Sequence, residues 1–214
     1  MNSAQFINQS TGNWEWLTPL PIIERVQSLY GGRIDLDPAT TAAANRTRIK
    51  AVQFYTRPDW PVIGDIGGLP LLDTSDQGAL EQVWQGNIWL NHPFGRTVAA
   101  CTPGCTKRAC IKRGWHTSAG LPGSAEWINH LVDNYQSGAI RQAVTITFAS
   151  TSESWFWPLL RYPRTWINGR IHYDRPDGGR SSSPRGSVLT YLGADIDRFI
   201  THCGDLGSVG LPLG

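Results

Sequence analysis

Apolar side chains along this chain recur with two spacings, and the places where the spacing changes predict its elements. Leu20, Ile22, Ile23, Val26 and Leu29 fall on a helical period between Thr18-Pro19 and the Gly31-Gly32 stop. A helix is therefore expected from Pro19 or Pro21 to Tyr30, with Thr18 as its N-cap. Arg33 to Asp37 alternates polar and apolar residues ahead of Pro38, which predicts a short strand ending at Asp37. A helix over Ala39 to Ala44 and a strand over Ala51 to Tyr55 follow. Pro58, Pro61, Gly64, Gly67, Gly68 and Pro70 then read as a long connection between Thr56 and Asp76, with Leu69 to Leu72 tucked toward the core. Gly78-Ala79-Leu80 leads through Trp84 into Ile88-Trp89-Leu90, a bulky apolar run that suits a buried parallel strand.

The second half repeats the alternation of helix and strand. Trp127, Ile128, Leu131 and Val132 predict a helix over Ala125 to Tyr135 that stops at Gly138, and Val144, Ile146 and Phe148 a strand over Ala143 to Ala149. Ser150-Thr151-Ser152-Glu153 has capping chemistry for another helix running to Leu160. Strands over Thr165 to Ile167, Arg170 to Tyr173 and Ser187 to Leu192 complete a sheet. Gly178 to Arg185, rich in Gly, Ser, Arg and Pro, reads as a mobile loop. The fold class expected is α/β, a single domain over residues 1–214 interrupted by an insertion.

Composition narrows the partners. The 214 residues, 40% hydrophobic and 17% charged, suffice for one well-buried domain and would cramp a second. A net charge of +2 supplies no global field, so any nucleic-acid binding must come from local patches. There is no apolar run long enough to span a membrane and no signal region in Met1 to Gly12, so a soluble, intracellular protein with no membrane partner is expected. The ten tryptophans, among them Trp14, Trp16, Trp89, Trp155, Trp157 and Trp166, are read mostly as core filling.

The insertion, Arg96 to Gly123, contains Cys101, Cys105, Cys110 and His116. The spacing C-x3-C-x4-C-x5-H offers three thiolates and one imidazole, the complement that closes a tetrahedral structural zinc site; free cysteines are the alternative. Cys203 stands far off and reads as a lone buried thiol. Lys107, Arg108, Lys112 and Arg113 surround Trp115 on the same loop, placed either to grip DNA phosphates or simply to face solvent. Arg170 belongs to an arginine-rich last third that carries the same two readings.

The buried run ends at Asn91-His92-Pro93-Phe94, at the edge where α/β sheets collect ligands. An amide oxygen and a main-chain carbonyl at such a site can accept both hydrogens of an exocyclic amine while an aromatic ring stacks on the base; Asn-X-Pro-aromatic also ends ordinary strands as a turn. The tetrad is similar to the Asn-Pro-Pro-Phe or Asp-Pro-Pro-Tyr signature of methyltransferases acting on amino groups of DNA bases. Together with Trp16-Leu17-Thr18-Pro19, Asp35-Leu36-Asp37-Pro38-Ala39, Trp84, Trp155-Phe156, Gly169-Arg170-Ile171-His172-Tyr173 and Gly186 to Gly193, it resembles the phage-type DNA N6-adenine methyltransferase family over Trp14 to Gly193.

The resemblance implies a Rossmann-like methyltransferase sheet that binds S-adenosylmethionine (SAM), with Thr18, Pro19, Asp37, Pro38 and Ala39 lining the cofactor. Asn91, His92, Pro93 and Phe94 would hold a flipped base, and DNA would be the partner, in the cytoplasm of a bacterial host cell. Cytosine N4 is the nearest alternative target. A non-catalytic DNA-binding relative and another base modification on the same scaffold are further ones. Two positions depart from the family: His92 stands where proline is usual, and Gly78 where an acid is usual, leaving Asp73 or Asp76 to supply that carboxylate. From the residues alone, Asp37 either meets a cofactor or caps the next helix, and Thr18 either caps a helix or borders an anion site.

Overall fold

The computed structural model describes residues 17–56, 62–74, 78–175 and 178–212. Trp14, Trp16, Pro58, Pro61 and Asp76 lie outside them. The chain runs α1 (Leu20–Leu29), β1 (Leu36–Thr40), α2 (Ala42–Ala44) widening into a π-turn over Asn45–Ile49, β2 (Gln53–Thr56), β3 (Val62–Ile66) and β4 (Leu69–Leu72). After a 3-10 turn at Gly78–Glu81 come β5 (Gly86–Leu90), α3 (Arg108–Arg113), β6 (His116–Thr117), α4 (Ser124–Gln136) and β7 (Ile140–Phe148). A 3-10 segment at Ser154–Arg161 precedes β8 (Arg164–Ile167), β9 (His172–Asp174), β10 (Arg180–Ser182), β11 (Ser187–Leu192), α5 (Ile196–Cys203), a short 3-10 turn and β12 (Gly207–Gly210).

Seven strands form one mixed sheet in the order β12-β8-β11-β7-β5-β1-β2. β2, β1, β5 and β7 are parallel; β11 is antiparallel to β7 and β8, and β12 to β8. Both faces are covered. α1 and α5 lay Ile22, Ile23, Val26, Leu29 and Phe199 against Trp89, Val144, Ile146, Leu189 and Tyr191. α4 and the Ser154–Arg161 segment lay Trp127, Ile128, Leu131, Phe156 and Leu159 against Ile88, Leu90, Ala143, Val188 and Leu192. Adjacent residues on each strand thus serve opposite cores, as the pleat requires, and Ile88, Trp89 and Leu90 are all buried because helices lie on both sides.

The amino end of β5 is tightly tied down. Trp84 is buried, with its indole N–H donating to the Ala79 carbonyl (2.8 Å) and its main-chain N–H to Asn134 Oδ1 (3.1 Å). Tyr30 donates its hydroxyl to the Ile88 carbonyl at 2.6 Å, fastening α1 to the strand.

Several sequence expectations are corrected. The connection expected over Thr56 to Asp76 holds the hairpin β3–β4, turned at Gly67-Gly68 with φ of 60° and 82°. Two glycines with positive φ suit a two-residue hairpin turn, so the signal was present. Leu69–Leu72 does not enter the main core: β4 pairs with β3 and with β6 of the insertion in a separate three-stranded sheet. The first strand runs past Asp37 to Thr40, and the following helix is capped by the Thr41 hydroxyl, which accepts from Ala44 N at 3.1 Å. The expected helix after Ser150 is a 3-10 segment, because Pro158 lacks the N–H an α-helix needs there. Arg180–Ser182, expected in a loop, pairs with β9. α5 and β12 were not anticipated, although Asp195 followed by Ile196, Phe199, Ile200 and Cys203 carries an N-cap and a helical period.

The insertion closes at its neck. Val98 and Leu121 exchange main-chain hydrogen bonds (2.9 and 2.8 Å), and Ser124 N donates to the Gly95 carbonyl at 2.9 Å. Glu126 accepts from Gly123 N (3.0 Å) and from the Thr97 hydroxyl. A Cβ at Gly123 would lie 2.4 Å from Thr97 N and 2.6 Å from the Arg96 carbonyl carbon, both backbone. Gly123→Ala should therefore pry the neck apart and destabilise the protein by about 1–3 kcal/mol; a chemical denaturation midpoint equal to wild type would show that the two strands of the neck are not packed this closely.

Candidate functional site

From β1 the chain goes outward to β2 and then returns to lay β5 on the opposite side of β1. Strand order reverses there, so a crevice is expected outside the carboxyl ends of β1 and β5. Three polar residues meet that edge. Thr18 is buried and its hydroxyl accepts from Asn91 Nδ2 at 3.0 Å, which corrects its reading as a helix cap: the cap position of α1 is Pro19, with no side-chain bond. The Thr18 carbonyl accepts from Arg48 (3.2 Å), whose guanidinium also pairs with Asp174 at 2.7 Å, and Leu17 pairs antiparallel with Asp174. The segment leading into α1 is thereby held against the sheet edge. Asn91, just past β5, leaves its Oδ1 buried and without a hydrogen-bond partner.

Asp37 is 1% exposed. Its Oδ1 accepts from Ala39 N at 3.0 Å, so it closes a local turn within β1 and does not cap the next helix. Desolvation pushes its carboxyl up to about 7, against the lowering effect of the Ala39 amide and the Thr40 side chain. Pro38 is buried beside it, and Pro19 and Ala39 are half-buried.

Within the tetrad, Pro93 is exposed and Phe94 half-buried. The Phe94 ring stacks on Phe148 (centroids 4.3 Å apart, 28° between planes), the last residue of β7. His92 is buried edge-on to Phe94 (5.1 Å) and Trp155 (6.2 Å), and neither ring nitrogen has a partner. Burial drives its pKa down to about 3, so the ring is neutral at physiological pH.

The second constellation is the metal cluster expected from the cysteine spacing. Cys101, Cys105, Cys110 and His116 bring their ligand atoms within 4.8 Å of one another, close enough to hold a metal ion. The Cys101–Cys110 and Cys105–Cys110 sulfurs stand 3.6 and 3.9 Å apart. Thiolates on one tetrahedral zinc at about 2.3 Å lie about 3.8 Å apart, so the spacing fits that ion. His116 Nδ1 is buried without a partner. Burial raises the Cys101 thiol, but the Thr117 amide, His116, the Thr117 hydroxyl and Cys110 outweigh it and hold the thiol down at about 6. Burial, Cys101 and Cys105 push Cys110 up to about 11 against the pull of Arg113.

His116 and Thr117 are also the strand β6, paired with Leu71 and Leu72. The insertion is thus joined to the β3–β4 hairpin through β6, with the cluster residue His116 in the pairing, a link the sequence did not reveal. Asp73 accepts from Ser118 in the same joint, at 3.2 Å.

Arg113 corrects an expectation. It is buried, donates to Cys110 Sγ (3.3 Å) and to the Trp115 carbonyl (3.0 Å), and lies over the Trp115 ring at 4.2 Å. It is thus committed to the cluster and does not face a DNA backbone. Lys107, Arg108 and Lys112 are exposed around α3, and Arg170 is exposed in the β8–β9 turn. Arg164, counted among the arginines of the last third, is buried on the carbonyls of Leu160 and Tyr162. Cys203 is a buried thiol in the α1–α5 core, as expected, and burial pushes it up to about 12.

The described residues thus define a mixed α/β protein with a seven-stranded sheet and a Cys3His cluster able to hold a metal ion. No protein-family model matches the chain, and no curated protein matches it either. Among the described residues no helix is long and apolar enough to cross a membrane.

Three outcomes are expected. Purified protein should contain about one zinc per chain, and Arg113→Leu should weaken metal affinity roughly 10- to 100-fold by removing the cation beside the thiolates; competition with a chromophoric chelator measures it. Asp37 has its folded pKa, about 7, raised above the unfolded value of 3.8, so its contribution to stability is complete below the unfolded pKa and is lost as pH rises through 7. Asp37→Asn should flatten the fall in unfolding free energy between about pH 4 and 7 seen by urea titration in the wild type, a change of a few kcal/mol at most.

Proposed function

We propose that this protein transfers a methyl group from SAM to the exocyclic amino group of a flipped DNA base, adenine N6 foremost, on a methyltransferase-type Rossmann-like sheet. The observation that carries the reading is Asn91 Oδ1, a buried acceptor with no partner at the point where the strand order reverses. Buried acceptors are rarely left empty, and an amine is the donor such a group would take. The electrophilic methyl is what bound SAM supplies. Asn91 Oδ1 and the main-chain carbonyl of His92 accept the two amino hydrogens and turn the nitrogen lone pair outward. Thr18 holds the Asn91 amide in place through its hydroxyl, at 3.0 Å. Phe94, braced on Phe148, walls the base side.

On the cofactor side, Thr18, Pro19, Pro38 and Ala39 border the crevice. The buried Asp37 carboxyl fits a ligand carrying hydroxyls or a positive charge. No strong base is needed, because orientation and electrostatics act on the amine and the proton leaves after attack. Zinc in the Cys3His cluster has all its ligands from protein, which suits a structural role. Lys107, Arg108, Lys112 and Arg170 are exposed cations that would meet DNA phosphates. The reading places the protein with its DNA in the cytoplasm of a bacterial host.

A second reading, a DNA-binding relative without transfer, is favoured by one feature: His92 fills space between Phe94 and Trp155 where the family has proline. Incubating the protein with methyl-labelled SAM and mixed-sequence duplex DNA, then digesting to nucleosides, decides between them. Label is expected in N6-methyladenine, and Asn91→Ala should cut transfer about 100-fold or more with SAM binding by calorimetry little changed. Label in N4-methylcytosine moves the target to the other base. SAM binding without label favours the relative, and absence of both removes the methyltransferase reading.

A further inference from the structure

His92 has a chemistry that the transfer reaction as described does not use, since only its main-chain carbonyl acts there. The side chain is 1% exposed, and both ring nitrogens are buried with no partner. A neutral imidazole carries one N–H donor and one acceptor, and burying both unsatisfied is costly. The ring is not in an ordinary hydrophobic core. It lies between Phe94 and Trp155, with Phe148 stacked behind Phe94 and the Arg185 guanidinium 5.9 Å from the Phe148 ring. These residues come from four places: the turn after β5, the end of β7, the 3-10 segment that follows β7, and, for Arg185, the turn leading into β11. A planar heterocycle entering beside Phe94 meets aromatic walls and, in His92, an unfilled hydrogen-bonding group.

Accepting the base-binding reading of Asn91, we infer that the His92 imidazole is a specificity-determining contact that donates a hydrogen bond to a ring nitrogen flanking the exocyclic amine of the bound base. The ligand class follows from the donor set. An amine held by Asn91 Oδ1 and the His92 carbonyl brings its neighbouring ring atoms to the same residue. In adenine both neighbours of the amine-bearing carbon lead to acceptor nitrogens, N1 on one side and N7 on the other; cytosine has N3 on one side and a C–H on the other. A proline at position 92 would offer no side-chain donor to any of them. The imidazole thus adds a reading of the ring to a site that otherwise reads only the amine. The neutral state of the ring keeps one nitrogen free to accept, from a water or from a second edge of the ligand.

The test uses the full chain, labelled with nitrogen-15, and short oligodeoxyadenylates containing adenine, 7-deazaadenine or 1-deazaadenine, with no SAM present. Binding of the adenine strand should shift the His92 ring-nitrogen resonances, which are assigned by their loss in His92→Phe. One of the two deaza strands should bind wild type roughly 3- to 10-fold more weakly, a penalty that disappears in His92→Phe and partly returns in His92→Gln, which restores an N–H donor. Unmoved ring resonances in the presence of bound strand, failure of the adenine strand to bind, or equal affinity of wild type and His92→Phe for all three strands would each overturn the inference. His92→Gln guards against a folding defect in the phenylalanine variant. The outcome is separable from that of the parent reading. Equal affinity of wild type and His92→Phe for all three strands, with methyl transfer by wild type intact, removes this contact and leaves the enzyme, whereas ring shifts in a protein that never transfers a methyl keep the contact and remove the enzyme.

Discussion

The architecture depends on one constraint, that β5 is desolvated on both faces. Helices α1 and α5 on one side and α4 on the other leave Ile88, Trp89 and Leu90 without solvent, and parallel pairing with β1 and β7 uses the main-chain groups along the strand. A strand enclosed in this way can present polar side chains only at its two ends. Those ends are treated differently. At the amino end, Asn87 donates to the Arg33 carbonyl and its Oδ1 accepts from Arg141 and Gln142. At the carboxyl end, Asn91 makes one side-chain bond, to Thr18, and keeps a buried oxygen free. The same residue type is saturated where it is structural and unsaturated where a ligand is expected, a distribution that burial costs make informative.

The metal cluster solves a different problem. Residues 62–72 form a lone hairpin on which Val62 and Ile63 stay exposed, residues 96–123 are rich in Gly and polar residues, and neither segment has a core of its own. β4 and β6 join them, and His116 is both a strand residue and one of the four side chains able to hold a metal ion, so coordination there would stand in for a core. Arg113 completes the arrangement from within, its guanidinium lying between a thiol and an indole. Three thiolates around a divalent ion would carry net negative charge, which a buried cation in contact with a sulfur would offset. The exposed cations of α3 are thereby divided from the one that serves the fold.

Buried polar atoms without a partner are scattered through the described residues, and three polar groups at the carboxyl side of the sheet carry the chemistry. Asp37 is buried with a raised pKa, Asn91 lacks a donor, and His92 lacks any partner. Each is a local cost, and sites that bind ligands are where such costs persist. Thr18 and Asn91 come from positions 73 residues apart and meet because α1 and β5 pack on the same edge.

The sequence by itself determined the period of α1, α4, β5, β7 and β11, the two-sided burial of β5, the Cys3His set able to hold a metal and the position of Asn91-His92-Pro93-Phe94 at a strand end. These are local matters: spacing of apolar residues, turn formers and ligand residues close in the chain. Tertiary structure alone decided that Arg113 points inward while Lys107 and Arg108 point out, because a guanidinium on a short helix can face either way until a thiol and an indole are placed beside it. It also decided that Thr18 holds Asn91 instead of capping a helix, that β4 joins the metal loop and not the main core, and that the imidazole of His92 lies among aromatic rings. Each of these rests on partners far apart in the chain, and pairing at a distance is set by how the layers pack, which neither periodicity nor spacing encodes.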